Sequence, residues 1–227
     1  MKGTFATVII SILLIGLIAP LIGNTAKADP IMVYIRADGS IDPASAPITT
    51  SDSTTYTLTD NFNGSIIVQK DNIVFDGSNH VVNGFNVIED LYNEYGIVLS
   101  NVTGVTIKNT MLMNSYDAIY LNQSSNSQII NNTIYDVGYG IRLYGMDEYQ
   151  PYNNTISANN ITACYQGIIL YNTINNTIVA NTLQRNTYGL YINEAYNNTI
   201  YHNDFVNSQI QAYCLSDEEN SLSLIHI

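Results

Sequence analysis

The chain has 227 residues, 46% hydrophobic and 11% charged, with a net charge of −12 and an isoelectric point near 4.2. Beyond residue 28 the only cations are Arg36, Lys70, Lys108, Arg142 and Arg185. They do not cluster, which excludes a nucleic-acid surface as the working part and leaves the acidity to serve solubility.

The first residues read as a secretory leader. Lys2 supplies the positive charge, residues 5–22 are almost wholly apolar, and Ala26-Lys27-Ala28 has the small-x-small form of a cleavage site. A mature chain would begin near Asp29; the alternative is an uncleaved membrane anchor, because the apolar run approaches spanning length. No second apolar run follows, so the remainder is expected outside the cytoplasm, secreted or at the cell surface.

Residues 29–72 lack a regular pattern. Residues 31–35 and 65–68 read as strands, separated by a Ser- and Thr-rich stretch that holds Pro43 and Pro47. This segment is expected to form an irregular N-terminal cap. From 73 to 216 a register of twenty-two residues takes over. Asn-Thr-Ile recurs at Asn154-Thr155-Ile156, Asn176-Thr177-Ile178 and Asn198-Thr199-Ile200, with weaker copies ending at Ile107 and Ile129. Apolar residues two apart follow later in each copy, as in Ile119/Leu121, Ile141/Leu143, Ile168/Leu170 and Leu190/Ile192. Spacing by two is strand periodicity, and a short fixed repeat of strands and turns is the mark of a solenoid. The expected fold is all-β: a right-handed parallel β-helix whose stacked coils bury what one coil cannot.

Three residues after Ile107, Ile129, Ile156, Ile178 and Ile200 stand Thr110, Asn132, Asn159, Asn181 and Asn203, and the Asn column is expected to form a structural ladder between coils. Two stretches interrupt the register, residues 85–94 with Glu89, Asp90 and Glu94, and residues 145–152 with Asp147 and Glu148. Such insertions map to surface loops, where solenoids carry function. Residues 217–227 start a further coil without completing it, so a longer protein is expected.

Chemistry-bearing residues are sparse. Asp117, Asp136 and Arg142 fall on or beside strands without the spacing of a paired-carboxylate site, and are expected as solvated charges. Cys164 and Cys214 lie two coils apart, too far for a disulfide, and Cys214 is expected at an outward position. The histidines are dispersed, and Met111 and Met113 are the only close sulfur pair, so neither a metal nor another cofactor is expected. The best lead is tyrosine: there are 18 Tyr and no Trp. Tyr120 and Tyr191 alternate with inward aliphatics, Tyr95, Tyr139 and Tyr188 precede the repeat glycine, and Tyr149 lies in the second insertion. Aromatic faces with polar tips suit stacking against sugar rings, although tyrosine also simply fits strands and stacks on itself. Asn-x-Ser/Thr triplets at Asn63, Asn101, Asn122, Asn131, Asn153, Asn160, Asn175 and Asn197 are glycan acceptors in form, and follow as readily from the repeat's own use of Asn and Thr.

The Asn-Asn-Thr-Ile and Tyr-Gly-Ile/Leu-x-Leu patterns, with Phe75-Asp76-Gly77 and His80 in the opening coil, resemble right-handed β-helix repeat proteins, and more narrowly the NosD family. That resemblance covers about residues 65–215 and implies the fold, and an extracytoplasmic setting, more firmly than any activity. The family's copper label finds no matching soft cluster here. The expected function is a non-catalytic scaffold or carbohydrate-recognition module, with polysaccharide or cell-envelope material as partner. The alternative is a polysaccharide lyase or glycoside hydrolase with an unrecognised site.

Overall fold

A computed structural model describes residues 31–84, 95–146, 149–215 and 221–223. The expected leader and the first insertion lie outside the described residues. Each coil contributes a short strand to a first flank, a short strand to a second flank, and a strand of about six residues to a broad face. In the coil opening at Thr155 these are Thr155–Ser157, Asn160–Thr162 and Gln166–Tyr171. Each pairs in parallel with its equivalent one coil on, Ile156 with Ile178, Ile161 with Leu183 and Ile168 with Leu190. The result is a right-handed parallel β-helix, the hand that parallel crossovers favour.

Four inward columns fill the core. The first flank supplies Phe75, Ile107, Ile129, Ile156, Ile178 and Ile200, and the second Val82, Leu112, Ile134, Ile161, Leu183 and Phe205. The broad face supplies the columns through Ile119 and Leu121. Nearly all are fully buried, each worth roughly 1.5–3 kcal/mol on transfer from water. The repeat glycine that precedes these pairs has a steric cause. A Cβ on Gly167 would stand 2.6 Å from the Gly189 carbonyl oxygen, and one on Gly189 2.5 Å from that of Gln211.

The stack begins earlier than residue 73. Thr55–Leu58 pairs in parallel register with Val74–Asp76, and Phe62–Val68 joins both the second flank and the broad face. Ile31–Ile35 then stacks on Phe62–Val68. The antiparallel strand pairs among the described residues, Ile31–Ile35 with Ile41–Asp42 and Ile48–Thr49 with Thr55–Leu58, lie at this end, and an isolated antiparallel bridge joins Met146 and Tyr149. Tyr56 locks it, fully buried, with its hydroxyl donating to the Gly39 carbonyl at 2.8 Å. At the other end Ser221–Ser223 continues the first flank on Thr199–Tyr201.

Corners between strands use the left-handed region, up to four times in one coil. Asn109, Asn131, Ala158, Ala180 and His202 occupy it between the flanks, with φ between 52° and 55°. Asn126, Asn153, Asn175 and Asn197 do so just before the first flank. Asn adopts this region more readily than other non-glycine residues, which is why the repeat is rich in it. Ala has no such aptitude. Ala180→Gly should therefore raise stability by about 0.5–1 kcal/mol, read as a higher denaturant midpoint at unchanged slope.

Cys164 and Cys214 are not joined in a disulfide. Cys164 is buried, and burial pushes its thiol up to about 12. Cys214 corrects the outward expectation. It pairs in register with Ile192, below Leu170, Leu143 and Leu121, and packs against the core, while Tyr213 takes the outward place. The inward positions fall twelve and fourteen after Ile200, at Ala212 and Cys214, so the repeat's own count already requires it.

Candidate functional site

The outer surface of the broad face is a tyrosine surface. One outward column runs Tyr95, Asp117, Tyr139, Gln166, Tyr188, Ile210. The next runs Val98, Tyr120, Arg142, Ile169, Tyr191, Tyr213, and the strand ends add Tyr144 and Tyr171. Sequence reasoning picked out Tyr120, Tyr139, Tyr188 and Tyr191, and the structure places all four here. It also brings in Tyr116, Tyr144, Tyr165, Tyr171 and Tyr213, which that reasoning missed. Tyr144 and Tyr171 share one register position, a signal present in the alignment of repeats.

The rings form two connected rows. Tyr95 stacks on Tyr120 at 5.4 Å, Tyr120 meets Tyr144 at 6.4 Å, and Tyr144 stacks on Tyr171 at 4.9 Å. The second row passes from Tyr116 to Tyr139, Tyr165, Tyr188 and Tyr213 with centroids 4.9–6.3 Å apart, and Tyr191 joins it through Tyr188 and Tyr213. Tyr116, Tyr165 and Tyr213 are exposed; the others are half-buried.

Arg142 links the rows. Its guanidinium lies 4.4 Å from the Tyr120 centroid, 5.2 Å from that of Tyr139 and 5.9 Å from that of Tyr144. It also donates from Nη2 to Asp117 Oδ2 at 2.5 Å. Asp117 is fully buried, which corrects the expectation of a solvated charge. The strand geometry sets it beneath the rings, where Arg142 reaches it from the next coil. Burial pushes its carboxyl up to about 7 in spite of the Arg142 charge, which acts the other way. Its Oδ1 and Arg142 Nε are buried without a hydrogen-bond partner. Burial also pushes the Tyr120 and Tyr139 hydroxyls up to about 12, so both keep their protons at ordinary pH. Asp136, by contrast, is exposed at a left-handed corner.

The second insertion, which holds Tyr149, makes a different feature. It leaves the broad face at Gly145, where a Cβ would collide with the Asn172 carbonyl oxygen, and returns at Tyr152, which bridges to Ile174. Between it and the preceding corners lies an open cleft of about 480 Å³. Val102 and Ile174 are its apolar lining, Tyr149 and Tyr152 its aromatic lining, and Asp71, Asn101, Thr103, Gln123, Ser125 and Gln150 its polar lining.

The ladder residues Asn132, Asn159, Asn181 and Asn203 are buried and bonded from coil to coil. Asn159 donates from its main-chain N and from Nδ2 to Asn181 Oδ1, and Asn181 does the same to Asn203 Oδ1, all at 2.9–3.0 Å. Asn154, Asn176 and Asn198 form a second buried row, with Asn154 donating to Asn176 and Asn176 to Asn198. The Asn-Asn-Thr triplets thereby acquire a structural account: the first Asn takes the left-handed corner, the second the buried row, and Thr opens the strand.

A family profile described as "Periplasmic copper-binding protein (NosD)" matches residues 23–223. Comparison with curated proteins gives no match. Among solved structures the chain is similar to the A-module of the mannuronan C-5 epimerase AlgE4 of Azotobacter vinelandii, at 11% identity and a TM-score of 0.30, over 70% of this chain and 60% of that one. It is also similar to the periplasmic alginate epimerase AlgG, at 11% identity and a TM-score of 0.30, over 75% of this chain and 68% of that one. The chain thus spans about 60% of the AlgE4 module.

A copper centre would need imidazole or soft sulfur donors brought together. Among the described residues no three His, Cys, Asp or Glu side chains do so. Met111 and Met113 flank the inward Leu112, and the Met113 sulfur already accepts from the Tyr135 hydroxyl at 2.7 Å. His80 and His202 belong to coils at opposite ends of the stack. The residues described do not fit a copper centre.

Proposed function

Because the chain belongs to the NosD family of β-helix proteins, we propose that it works outside the cytoplasm as a non-catalytic module that recognises polysaccharide along its tyrosine-bearing broad face. The observation that carries this reading is the pair of connected tyrosine rows running coil after coil. Six coils, from Tyr95 to Tyr213, give a surface about 24 Å long at the strand spacing of about 4.8 Å. Such a surface offers ring faces and hydroxyl tips at a regular interval, which suits a polymer of sugar rings. A small ligand would be better served by one concave pocket.

The enzymatic alternative has less behind it. Between Tyr95 and Tyr213 the two outward columns hold one carboxylate, Asp117, and it is sealed beneath the rings. A general acid must reach the leaving oxygen.

The test retains neutral and acidic polysaccharides in affinity gels, with parallel assays for released reducing or unsaturated ends. Changing Tyr116, Tyr165 and Tyr213 together to Ala should weaken retention tenfold or more, at about 0.5–1.5 kcal/mol for each lost aromatic contact. These rings are exposed but each packs on a neighbouring ring, so the melting temperature should fall by only a few degrees with the circular dichroism spectrum of the fold kept. Equal retention by this variant would remove the face from the reading. Released chain ends would replace recognition by catalysis.

A further inference from the structure

The geometry points to a second, separate binding site: the cleft beneath the second insertion takes a short neutral saccharide, and rejects uronate or sulfated sugars. The inference rests on the polysaccharide-recognition reading for its ligand class, and adds a site and a charge preference to it.

The cleft has the mixed lining that a sugar needs. Tyr149 and Tyr152 are 66% and 43% exposed, so their rings are open to contact rather than spent in packing. They can cover the C–H face of a pyranose. Hydroxyls of the sugar would meet amides and one carboxylate. The side-chain amides of Asn101 and Gln123 make no hydrogen bond among the described residues, and both extend from left-handed corners of successive coils. Asp71 uses Oδ1 to accept from the Thr103 main-chain N at 2.8 Å, and Oδ2 makes no hydrogen bond among the described residues. Gln150 is held in place by donating to Asn172 Oδ1, which fixes the roof.

Charge decides between sugar classes. Among the described residues the lining holds one carboxylate and no Lys or Arg. Of the other cations, Arg36, Lys108 and Arg142 are engaged by Asp42, Asp76 and Asp117, and Lys70 and Arg185 do not line the cleft. A uronate in this cleft would face Asp71 with no cation in the described lining to offset it, in a chain of net charge −12. Like charges at such range disfavour binding. A neutral sugar instead gives Asp71 a hydroxyl donor, the charge-assisted bond that carboxylates make well.

The experiment titrates the purified protein with short neutral oligosaccharides (gluco-, manno- and xylo-oligomers) and with uronate oligomers, by calorimetry and ligand-observed NMR. Neutral oligomers of at least one series should bind, and uronates should not. Tyr149→Ala combined with Gln123→Ala should weaken binding at least tenfold, with the melting temperature unchanged. Gln123→Lys should admit uronates. The Tyr116/Tyr165/Tyr213 variant should bind short oligomers as the parent does. The inference fails if no short oligomer binds, if the cleft variants bind them unchanged, or if uronates are preferred. Retention of polymer that is lost only in the tyrosine-face variant, with no short oligomer bound, would remove the cleft and keep the face. Cleft-dependent binding of short oligomers without any polymer retention would keep the cleft and remove the face.

Discussion

Asn181→Ala should lower stability by about 3–5 kcal/mol, and the melting temperature by about 10 °C or more. Asn181 Oδ1 accepts from both Asn159 N and Asn159 Nδ2, while its own Nδ2 donates to the Ile156 and Val179 carbonyls and to Asn203 Oδ1. Truncation leaves the buried Asn159 main-chain N–H without an acceptor and Asn159 Nδ2 with the Ile129 carbonyl alone, and it takes the donor from the Ile156 and Val179 carbonyls, at about 1–3 kcal/mol for each group left unpaired, with a hole the size of an amide besides. Coils in a solenoid communicate only through their neighbours, so a defect at a central coil weakens the coupling on both sides. Asn175→Ala is the matched control. Asn175 is exposed at its corner, and its loss should cost no more than about 1–2 kcal/mol for the left-handed conformation alone. Thermal and denaturant unfolding of both variants, followed by circular dichroism, gives the comparison. Similar losses at the two sites would mean that the ladder is no more than a set of corner residues.

The contrast between those two asparagines shows what a repeat alignment reveals. Period and column are read directly: Ile156, Ile178 and Ile200 recur at twenty-two, and stacking forces recurring residues into the same environment. The ladder through Asn181 was legible for the same reason, and the second row through Asn176 was equally visible as the middle of Asn-Asn-Thr-Ile. The N-terminal coil was hidden because Thr55–Leu58 and Phe62–Val68 have the spacing of flanks and face without the Asn-Thr-Ile signature. Contacts between unlike columns were not legible. Asp117 and Arg142 are twenty-five residues apart and belong to different columns, so no periodic comparison pairs them. The cleft was out of reach for a further reason. It depends on how residues 149–152 lie against earlier corners, and an insertion has by definition no counterpart in other coils.

Arg142→Gln should produce a loss that depends on pH, and this separates an ion pair from simple packing. Asp117 titrates near pH 4 in an unfolded chain and about 7 in the folded one. Its contribution to stability is therefore fully present below pH 4 and is lost as pH rises towards 7, because the folded state must surrender a proton it holds more tightly than the unfolded state does. Three units correspond to at most about 4 kcal/mol, reached above pH 7. Removing the guanidinium takes away the influence that opposes burial, so the folded carboxyl moves higher still and the loss continues past pH 7. At pH 5 Asp117 is protonated in both folded proteins, and the variant should fall short of the parent by only about 1 kcal/mol, from lost ring contact and one hydrogen bond. At pH 8–9 the shortfall should reach about 3–5 kcal/mol, the usual cost of leaving a buried charge without its partner. Asp117→Asn supplies the opposite sign. It removes the titration, flattens the profile between pH 4 and 7, and should make the protein at least as stable as the parent at pH 8, because Arg142 is partly exposed and remains over the Tyr120 ring. Denaturant melts of the three proteins from pH 4 to 9 decide the matter. A loss in Arg142→Gln that is constant across that range would mean that the guanidinium serves only as a packed plate between tyrosines, and that Asp117 carries no charge under it.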